Sequence, residues 1–331
     1  MEEMVFDQKA AKRPFSRIGW ALAAILVVGS VLQALWFALP EAIWGADNWL
    51  TGSSWGVWLG TFLPLYLVAV PVGLWLLKNL PTQTPESKKL SVKHFFILLL
   101  VGYCLMYGGN LLGIGLSALL SGGQAENTVA EYAMDSNPLK VLVMVILAPL
   151  IEEYIFRKQI IDRTAKYGEK LAVFFSALTF GLFHGNLFQL FYAFGLGLVF
   201  AYIYIRTGRL RYSVLMHVIV NFMGAVVAPW VMSLVDMDTL VAIDPEMAPE
   251  ALLEVYAGMM PGLLIYMLYA LALMGMALAG LIQILIHYRH LVWKPAAAQL
   301  PKGTAVKTAY LNMGMIVLVL LCLLMTITAL F

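Results

Sequence analysis

The sequence predicts an all-α fold, a polytopic transmembrane helix bundle of about nine spans with its N-terminus in the cytoplasm. Hydrophobic residues make up 62% of the 331 residues and charged residues only 12%; the charged fraction is roughly half that of a soluble domain. The hydrophobic residues form runs close to the roughly 20 residues that a helix needs to cross a bilayer. Basic and acidic connections alternate between these runs, which indicates their orientation.

The apolar runs also divide the chain into three parts. We expect residues 1–138 to form N-terminal transmembrane helices and residues 139–235 to form a core whose spans contain ionisable side chains. Residues 236–331 are expected to form an acidic outer loop and C-terminal transmembrane helices. The runs themselves occupy residues 17–39, 55–77, 94–120, 139–161, 171–187, 189–205, 212–234, 258–286 and 309–330.

The predicted orientation follows from the positions of the basic residues. Arg206, Arg209 and Arg211 fill the connection between the sixth and seventh runs, whereas acidic residues dominate the next connection, between Asp236 and Glu254. Lysine and arginine are enriched in cytoplasmic loops, so the N-terminus is predicted inside and the C-terminus outside. The net charge of +2 does not indicate a nucleic-acid partner.

Ionisable side chains occur inside three of the central runs. A charge at the centre of a membrane helix costs at least about 2.5 kcal/mol, so such residues usually face the protein interior and mark function. Cys104 and Cys322 have no partner at metal-ligand spacing, and we expect both to be inert. The polar residues of interest are Glu152, Glu153 and Arg157 in the fourth run, His184 in the fifth, and His217 and Asn221 in the seventh.

The two adjacent glutamates are predicted to have different roles. Glu153 and Arg157 stand at i and i+4, where a carboxylate and a guanidinium can pair on one helix face. Glu152 points about 100° away around the helix and cannot share that partner as easily. A carboxylate without such a partner, inside a low-dielectric bundle, is suited to take up and return a proton as a general base.

This set of side chains suits hydrolysis of a peptide bond by an activated water molecule. Glu152, assisted by His184, would deprotonate or orient the water, and His217 with Asn221 would donate hydrogen bonds to the oxyanion. A metal-dependent alternative uses Glu152, His184 and His217 as ligands of one divalent ion such as zinc. No HExxH spacing accompanies these residues, so spacing alone does not favour the metal.

Other hydrolytic chemistries are less well supported by the sequence. Ser176 and Ser213 lie near the same runs, but neither is surrounded by a GxSxG elbow.

Counting along the helices at 1.5 Å per residue predicts that His184 and His217 differ in height by about 12 Å. Helix tilt and displaced span ends can absorb this difference.

Three motifs occur in the order found in a known family. Residues Glu152 to Arg157, EEYIFR, resemble the EExxxR motif of the CAAX-processing prenyl protease type II and bacteriocin-immunity (CPBP) family. Residues Phe180 to His184, FGLFH, resemble its FxxxH motif, and residues His217 to Asn221, HVIVN, resemble its HxxxN motif. The resemblance covers roughly residues 139–225. It implies an all-helical intramembrane endopeptidase.

The resemblance also implies roles for individual residues. Glu152 would activate the water with help from His184, and His217 and Asn221 would stabilise the oxyanion. The resemblance leaves the metal question open, because the family has been described both as metal-dependent and as glutamate-dependent. The supporting motif residues would be Glu153, Arg157 and Phe180.

The predicted function is therefore cleavage of membrane-associated or prenylated-type proteins or peptides by an intramembrane endopeptidase. Two alternatives stay open: a catalytically idle binding or immunity protein of the same fold, and a proton-coupled transporter, which also needs intramembrane Glu and His. The expected partners are membrane lipids and a protein or peptide substrate, without nucleic acid, and the oligomeric state is open. The expected location is the plasma membrane of a bacterium.

Overall fold

The computed structural model describes residues 7–235, 248–291 and 293–331, and every regular element in these ranges is helical. The predicted all-α fold is confirmed for this part of the chain. Residues 236–247, which hold most of the predicted acidic outer loop, lie outside the described ranges. The helices before the core are α1 (Gln8–Trp44), the short α2 (Trp49–Gly52), α3 (Ser54–Leu77), α4 (Val92–Ser121) and the short α5 (Thr128–Met134).

The core and the C-terminal part contain seven further helices in the described ranges. In the core these are α6 (141–164), α7 (Glu169–Phe183), α8 (Leu187–Thr207) and α9 (Leu210–Ser233). The C-terminal part contains α10 (Pro249–His287), the short α11 (Ala305–Ala309) and α12 (Met313–Thr328).

Six of these helices are long and apolar enough to cross a membrane: α1, α3, α4, α8, α9 and the Val255–His287 part of α10. The three other predicted runs form α6, α7 and α12, so nine crossings are consistent with the helices. The protein is therefore an integral membrane protein, and its described residues form a helical bundle. Its orientation in the membrane stays a prediction.

Local sequence explains where the central helices begin and end. Asn186 caps α8 by accepting a hydrogen bond from the backbone N–H of Gln189, which satisfies one of the donors that a helix start leaves unpaired. The same helix ends at Gly208, whose φ of +59° is in the left-handed region that glycine adopts without strain. These two signals set the ends of α8, which runs from the residues after His184 to the basic end of the bundle.

Helix α8 packs closely against α4 through glycines on both helices. A Cβ atom on Gly109 would lie 2.5 Å from the backbone nitrogen of Tyr192, and one on Gly195 would lie 2.9 Å from the Cβ atom of Leu105. Small residues permit this approach of two backbones, which is a common device in membrane helix pairs. Gly109 and Gly113 of α4 stand four residues apart, the small-xxx-small spacing that predicts such a contact from the sequence.

Helix α6 contains two π-helical turns, Val141–Leu147 and Tyr154–Gln159. The α-helical segment between them, Ala148–Glu153, carries Pro149 in its first turn and ends on the two glutamates. Proline removes a backbone donor, and π-helical turns are frequent at functional sites. The interrupted helix therefore holds the first motif between two local irregularities.

Candidate active site

Glu153 and Arg157 form a wholly buried ion pair on α6. Nε of Arg157 lies 3.1 Å from Oε2 of Glu153, and Nη2 lies 3.2 Å from Oε1, which gives a two-point contact. The third guanidinium nitrogen, Nη1, donates to Oγ of Ser176 on α7 at 2.9 Å. The pair predicted from the i, i+4 spacing is present, and it fixes α6 against α7.

Aromatic rings surround the buried guanidinium. The Cζ atom of Arg157 lies 4.7 Å from the centre of the Phe180 ring and 5.6 Å from that of the Phe200 ring. A desolvated cation close to aromatic faces is stabilised by their quadrupoles. Phe180, the first residue of the second motif, therefore supports Arg157 of the first motif, while Phe200 on α8 was not indicated by the sequence.

The imidazole of His217 lies between the two glutamates. Its Nδ1 is 3.2 Å from Oε1 of Glu153, and its Nε2 is 3.7 Å from Oε2 of Glu152. The ring stacks on Phe200 with the two ring centres 4.9 Å apart. Because the Arg157-bound carboxylate of Glu153 accepts hydrogen bonds, Nδ1 is assigned as the donor, and Nε2 faces Glu152.

The side chain of Glu152 differs from that of Glu153 in both burial and bonding. It is 23% exposed, whereas that of Glu153 is 0% exposed. The 3.7 Å to His217 is too long for a direct hydrogen bond, and Glu152 makes no other ion pair in the described part of the chain. One glutamate is thus committed to the arginine and the other is accessible, as the helix geometry predicts.

His184 lies at the C-terminal end of α7, where its Nδ1 is 2.8 Å from the backbone oxygen of Phe180. The Phe180 ring contacts His184 edge-on at 5.0 Å between ring centres and His217 at 5.9 Å. Both histidines therefore adjoin one phenyl ring, and the predicted height difference of about 12 Å is too large. Counting residues assumes upright helices that start at one level, whereas the helices of a bundle can be tilted and staggered.

Asn221 lies one turn beyond His217 on α9, but it contacts a different helix. Its Nδ2 donates at 2.8 Å to the backbone oxygen of Met144, in the first π-helical turn of α6. The side chain of His217 bonds to Glu153 instead. The predicted grouping of His217 with Asn221, apart from Glu152, is therefore not the grouping that these contacts favour.

The candidate metal ligands do not fit a metal site. Across residues 7–235, 248–291 and 293–331, no three His, Cys, Asp or Glu side chains converge to hold an ion. Nδ1 of His184 contacts a backbone oxygen and Nδ1 of His217 contacts a carboxylate, so Nε2 is the ring nitrogen left to each histidine. Within the described residues, Glu152, His184 and His217 are therefore not assembled as a coordination sphere.

A cavity of about 360 Å³ reaches His184 from the end of the bundle opposite the basic connections. His184, Gly185 and Asn186 line one side of it, and residues 126–129 before and within α5 line another. The side chain of Met325 on α12 also contributes to the wall. The cavity gives His184 access to space outside the packed core.

An all-helical membrane bundle with two glutamates, two histidines and an arginine in its interior defines a membrane-embedded protein with a buried polar site. The model of the family described as "Type II CAAX prenyl endopeptidase Rce1-like" matches residues 135–223, which contain all three motifs. This part of the chain is similar to that family, and the resemblance predicted from the motifs is confirmed.

Two bacterial proteins are similar to the chain over about half of its length. The "Putative membrane peptidase YdiL" of Bacillus subtilis (strain 168) is 29% identical over 164 residues, which cover 47% of this chain and 66% of that protein. The "Membrane-embedded CAAX protease MroQ" of Staphylococcus aureus (strain USA300) is 26% identical over 174 residues, 48% of this chain and 70% of that protein. No solved structure matches the chain.

Proposed function

We propose that the protein is an intramembrane endopeptidase that hydrolyses peptide bonds with a water molecule activated by Glu152. The observation that carries the proposal is the position of His217, with Nδ1 3.2 Å from Glu153 and Nε2 3.7 Å from Glu152. The family match and the names of the two relatives support peptidase chemistry. Both relatives are bacterial, which supports a bacterial plasma membrane as its location.

A water molecule beside Glu152 and His217 can bridge their side chains. Atoms 3.7 Å apart can each lie about 2.8 Å from one water oxygen. Such a water donates one hydrogen to Oε2 of Glu152 and the other to Nε2 of His217, so its oxygen lone pairs point away from both. This arrangement prepares the oxygen to attack a carbonyl carbon.

The proton transfers follow from this geometry. As the water oxygen bonds to the carbonyl carbon, Glu152 takes a water proton and the carbonyl oxygen becomes an oxyanion. When the C–N bond breaks, Glu152 returns the proton to the leaving amine. Glu153 acts as a positioning residue. Its carboxylate accepts a hydrogen bond from Nδ1–H of His217, and Arg157 holds that carboxylate in place.

Asn221 and His184 are the remaining motif residues with a proposed role. Asn221 uses one amide N–H for Met144, so its second N–H can serve the oxyanion. His184 lines the cavity of about 360 Å³, and we assign it to the side from which the substrate peptide and water enter. The substrate class is a protein or peptide segment in or at the membrane.

A comparison of cleavage by matched variants tests the proposal. Wild type and Glu152→Gln are purified and reconstituted into liposomes together with membrane proteins extracted from a strain that lacks the gene. New peptide termini are then identified by mass spectrometry. The control is Glu131→Gln, which changes an exposed glutamate of α5 in the same way.

The expected result is a set of new termini with wild type and with Glu131→Gln, reduced by at least about 100-fold with Glu152→Gln, because general base catalysis contributes on that order. Equal cleavage by Glu152→Gln and wild type would refute the role of Glu152. If no preparation yields new termini and wild-type liposomes instead carry a substrate-dependent proton flux, the protein is a transporter rather than a peptidase.

A further inference from the structure

A cavity of about 430 Å³ lies at the basic end of the bundle, and none of its lining residues belongs to the three motifs. Four segments enclose it: the connection after α3, the turn between α6 and α7, the end of α8, and residues 294–297 beyond α10. Its charged lining residues are Glu86, Lys88, Lys166, Glu169, Arg206 and Lys294. We call this the basic cavity.

The basic cavity carries more positive than negative charge. Four of its lining side chains are cations and two are carboxylates. Lys88 and Lys294 share one carboxylate oxygen of Glu86, at 2.9 and 3.4 Å. The hydrogen bond and charge of Lys88, followed by those of Lys294, hold the pKa of Glu86 below its usual range. Even with both glutamates ionised, two positive charges are left over.

Arg206 presents its guanidinium in a fixed orientation. Nη1 lies 3.2 Å from Oε2 of Glu169, and Cζ lies 5.5 and 5.8 Å from the ring centres of Tyr202 and Trp293. Its buried Nη2 has no hydrogen-bond partner among the described residues. A guanidinium stacked on rings keeps its fork of donors pre-oriented, which suits binding of a phosphate group.

Backbone hydrogen bonds join the segments that form the walls of the basic cavity. The N–H of Lys88 donates to the carbonyl of Thr207 at 2.8 Å, and the N–H of Ala298 donates to that of Lys166 at 2.9 Å. The connection after α3 is also tied to α6, because the hydroxyl of Thr84 donates to buried Asp162 at 2.8 Å. The cavity is therefore built into the fold and not a gap between loose loops.

The position of the basic cavity indicates the source of its ligand. It lies where the spans end, in connections that the sequence marks as basic, and Tyr202 and Trp293 beside it are residue types enriched at membrane interfaces. On the cytoplasmic side, where the sequence predicts these connections to lie, basic pockets between membrane helices are suited to acidic lipid head groups. We propose that the basic cavity binds the phosphate group of an anionic molecule, with an acidic phospholipid as its source.

The test compares two triple variants of the full-length protein in detergent. The cavity variant carries Lys88→Gln, Lys166→Gln and Lys294→Gln. The control carries Lys170→Gln, Lys302→Gln and Lys307→Gln, which removes the same charge from exposed positions that do not line the cavity. Native mass spectrometry measures bound phosphatidylglycerol and phosphatidylcholine during titration, and thermal unfolding with inorganic phosphate forms the second arm.

We expect wild type and control to bind phosphatidylglycerol in preference to phosphatidylcholine. A basic residue near an acidic lipid contributes about fivefold in affinity, so the cavity variant should need at least about tenfold more phosphatidylglycerol. A saturable thermal stabilisation by inorganic phosphate, lost only in the cavity variant, would support the phosphate site and identify a soluble ligand. Equal weakening in both triple variants, or no lipid preference together with no phosphate response, would overturn the proposal.

Arg206 is left unchanged in both variants because it also pairs with Glu169, and its loss risks the fold. Size-exclusion chromatography and the melting temperature without added ligand verify that both triple variants fold. A cavity variant that is destabilised is replaced by Lys88→Gln and Lys294→Gln alone, since these two lysine side chains are about half exposed (50% and 53%). Weaker phosphatidylglycerol binding by this double variant than by the control then supports the proposal, and equal binding overturns it.

Discussion

Nη1 of Arg157 on α6 donates a hydrogen bond to Oγ of Ser176 on α7 over 2.9 Å. The serine hydroxyl in turn donates to the backbone oxygen of Phe156 at 2.7 Å. Because the other two guanidinium nitrogens bond to Glu153, all three nitrogens of this buried arginine have partners. The first motif is therefore a structural unit that includes a residue from the next helix.

This unit predicts a large loss of stability in Arg157→Ala. Removing one partner of a buried pair leaves an uncompensated charge on Glu153, which costs about 3–5 kcal/mol of unfolding free energy. Arg157→Lys should lose part of this amount, because an ammonium cannot reproduce the two-point contact. Unfolding in mixed micelles measures the difference, with exposed Arg211→Ala as the control; equal stability of Arg157→Ala and the control would contradict the pair.

The contact between Glu153 and His217 predicts a catalytic effect of Glu153→Gln. The amide loses the charge that holds the Nδ1–H of His217 and that balances Arg157. We expect cleavage per folded molecule to fall by about 10- to 100-fold, as when an outer partner of a functional histidine is removed. The measurement is the initial rate of terminus formation, normalised to monodisperse protein. An unchanged normalised rate would leave Glu153 with a purely structural role.

The packing of α4 on α8 predicts opposite results for two neighbouring glycines. A Cβ at Gly109 would meet backbone atoms of Phe191 and Tyr192 at 2.5–2.6 Å, whereas one at Gly108 would have no neighbour within 4 Å. Gly109→Ala should therefore cost about 1–3 kcal/mol through overpacking, and Gly108→Ala should be neutral or stabilising by up to about 1 kcal/mol. Thermal unfolding compares them, and equal effects would contradict the packing.

Much of the fold and of the first motif follows from local sequence. The length of the apolar runs predicts the helices, the i, i+4 spacing predicts the contact of Glu153 with Arg157, and glycines in α4 predict a close helix contact. Each of these depends on residues near one another in the chain. The assembly of residues from different helices is not local, and the sequence predicts these contacts less well.

His217 and Ser176 illustrate what local sequence does not contain. The position of His217 between two glutamates depends on the relative levels of α6 and α9, and the π-helical turns of α6 have no local signal beyond Pro149. Ser176 lacks a nucleophile motif in the sequence, and its hydrogen bond to Arg157 depends on the packing of α7 against α6. Phe200 lies in an ordinary apolar run, and only the packing of α8 brings it to the imidazole.

Asp135, before α6, predicts a pH-dependent stability at the end opposite the basic cavity. The indole N–H of Trp58 donates to its carboxylate at 2.7 Å, with further bonds from the Asn137 N–H and the Ser54 hydroxyl, and these hold its pKa below the usual range. A lowered folded pKa gives stability that is present above the unfolded value, about 3.9, and is lost as pH falls through the folded value. Asp135→Asn should therefore melt below wild type at pH 7, with the gap closing as the buffer is taken from about pH 5 to pH 3 across that transition. Exposed Glu131→Gln is the control, and a gap independent of pH would contradict the role of the Asp135 charge.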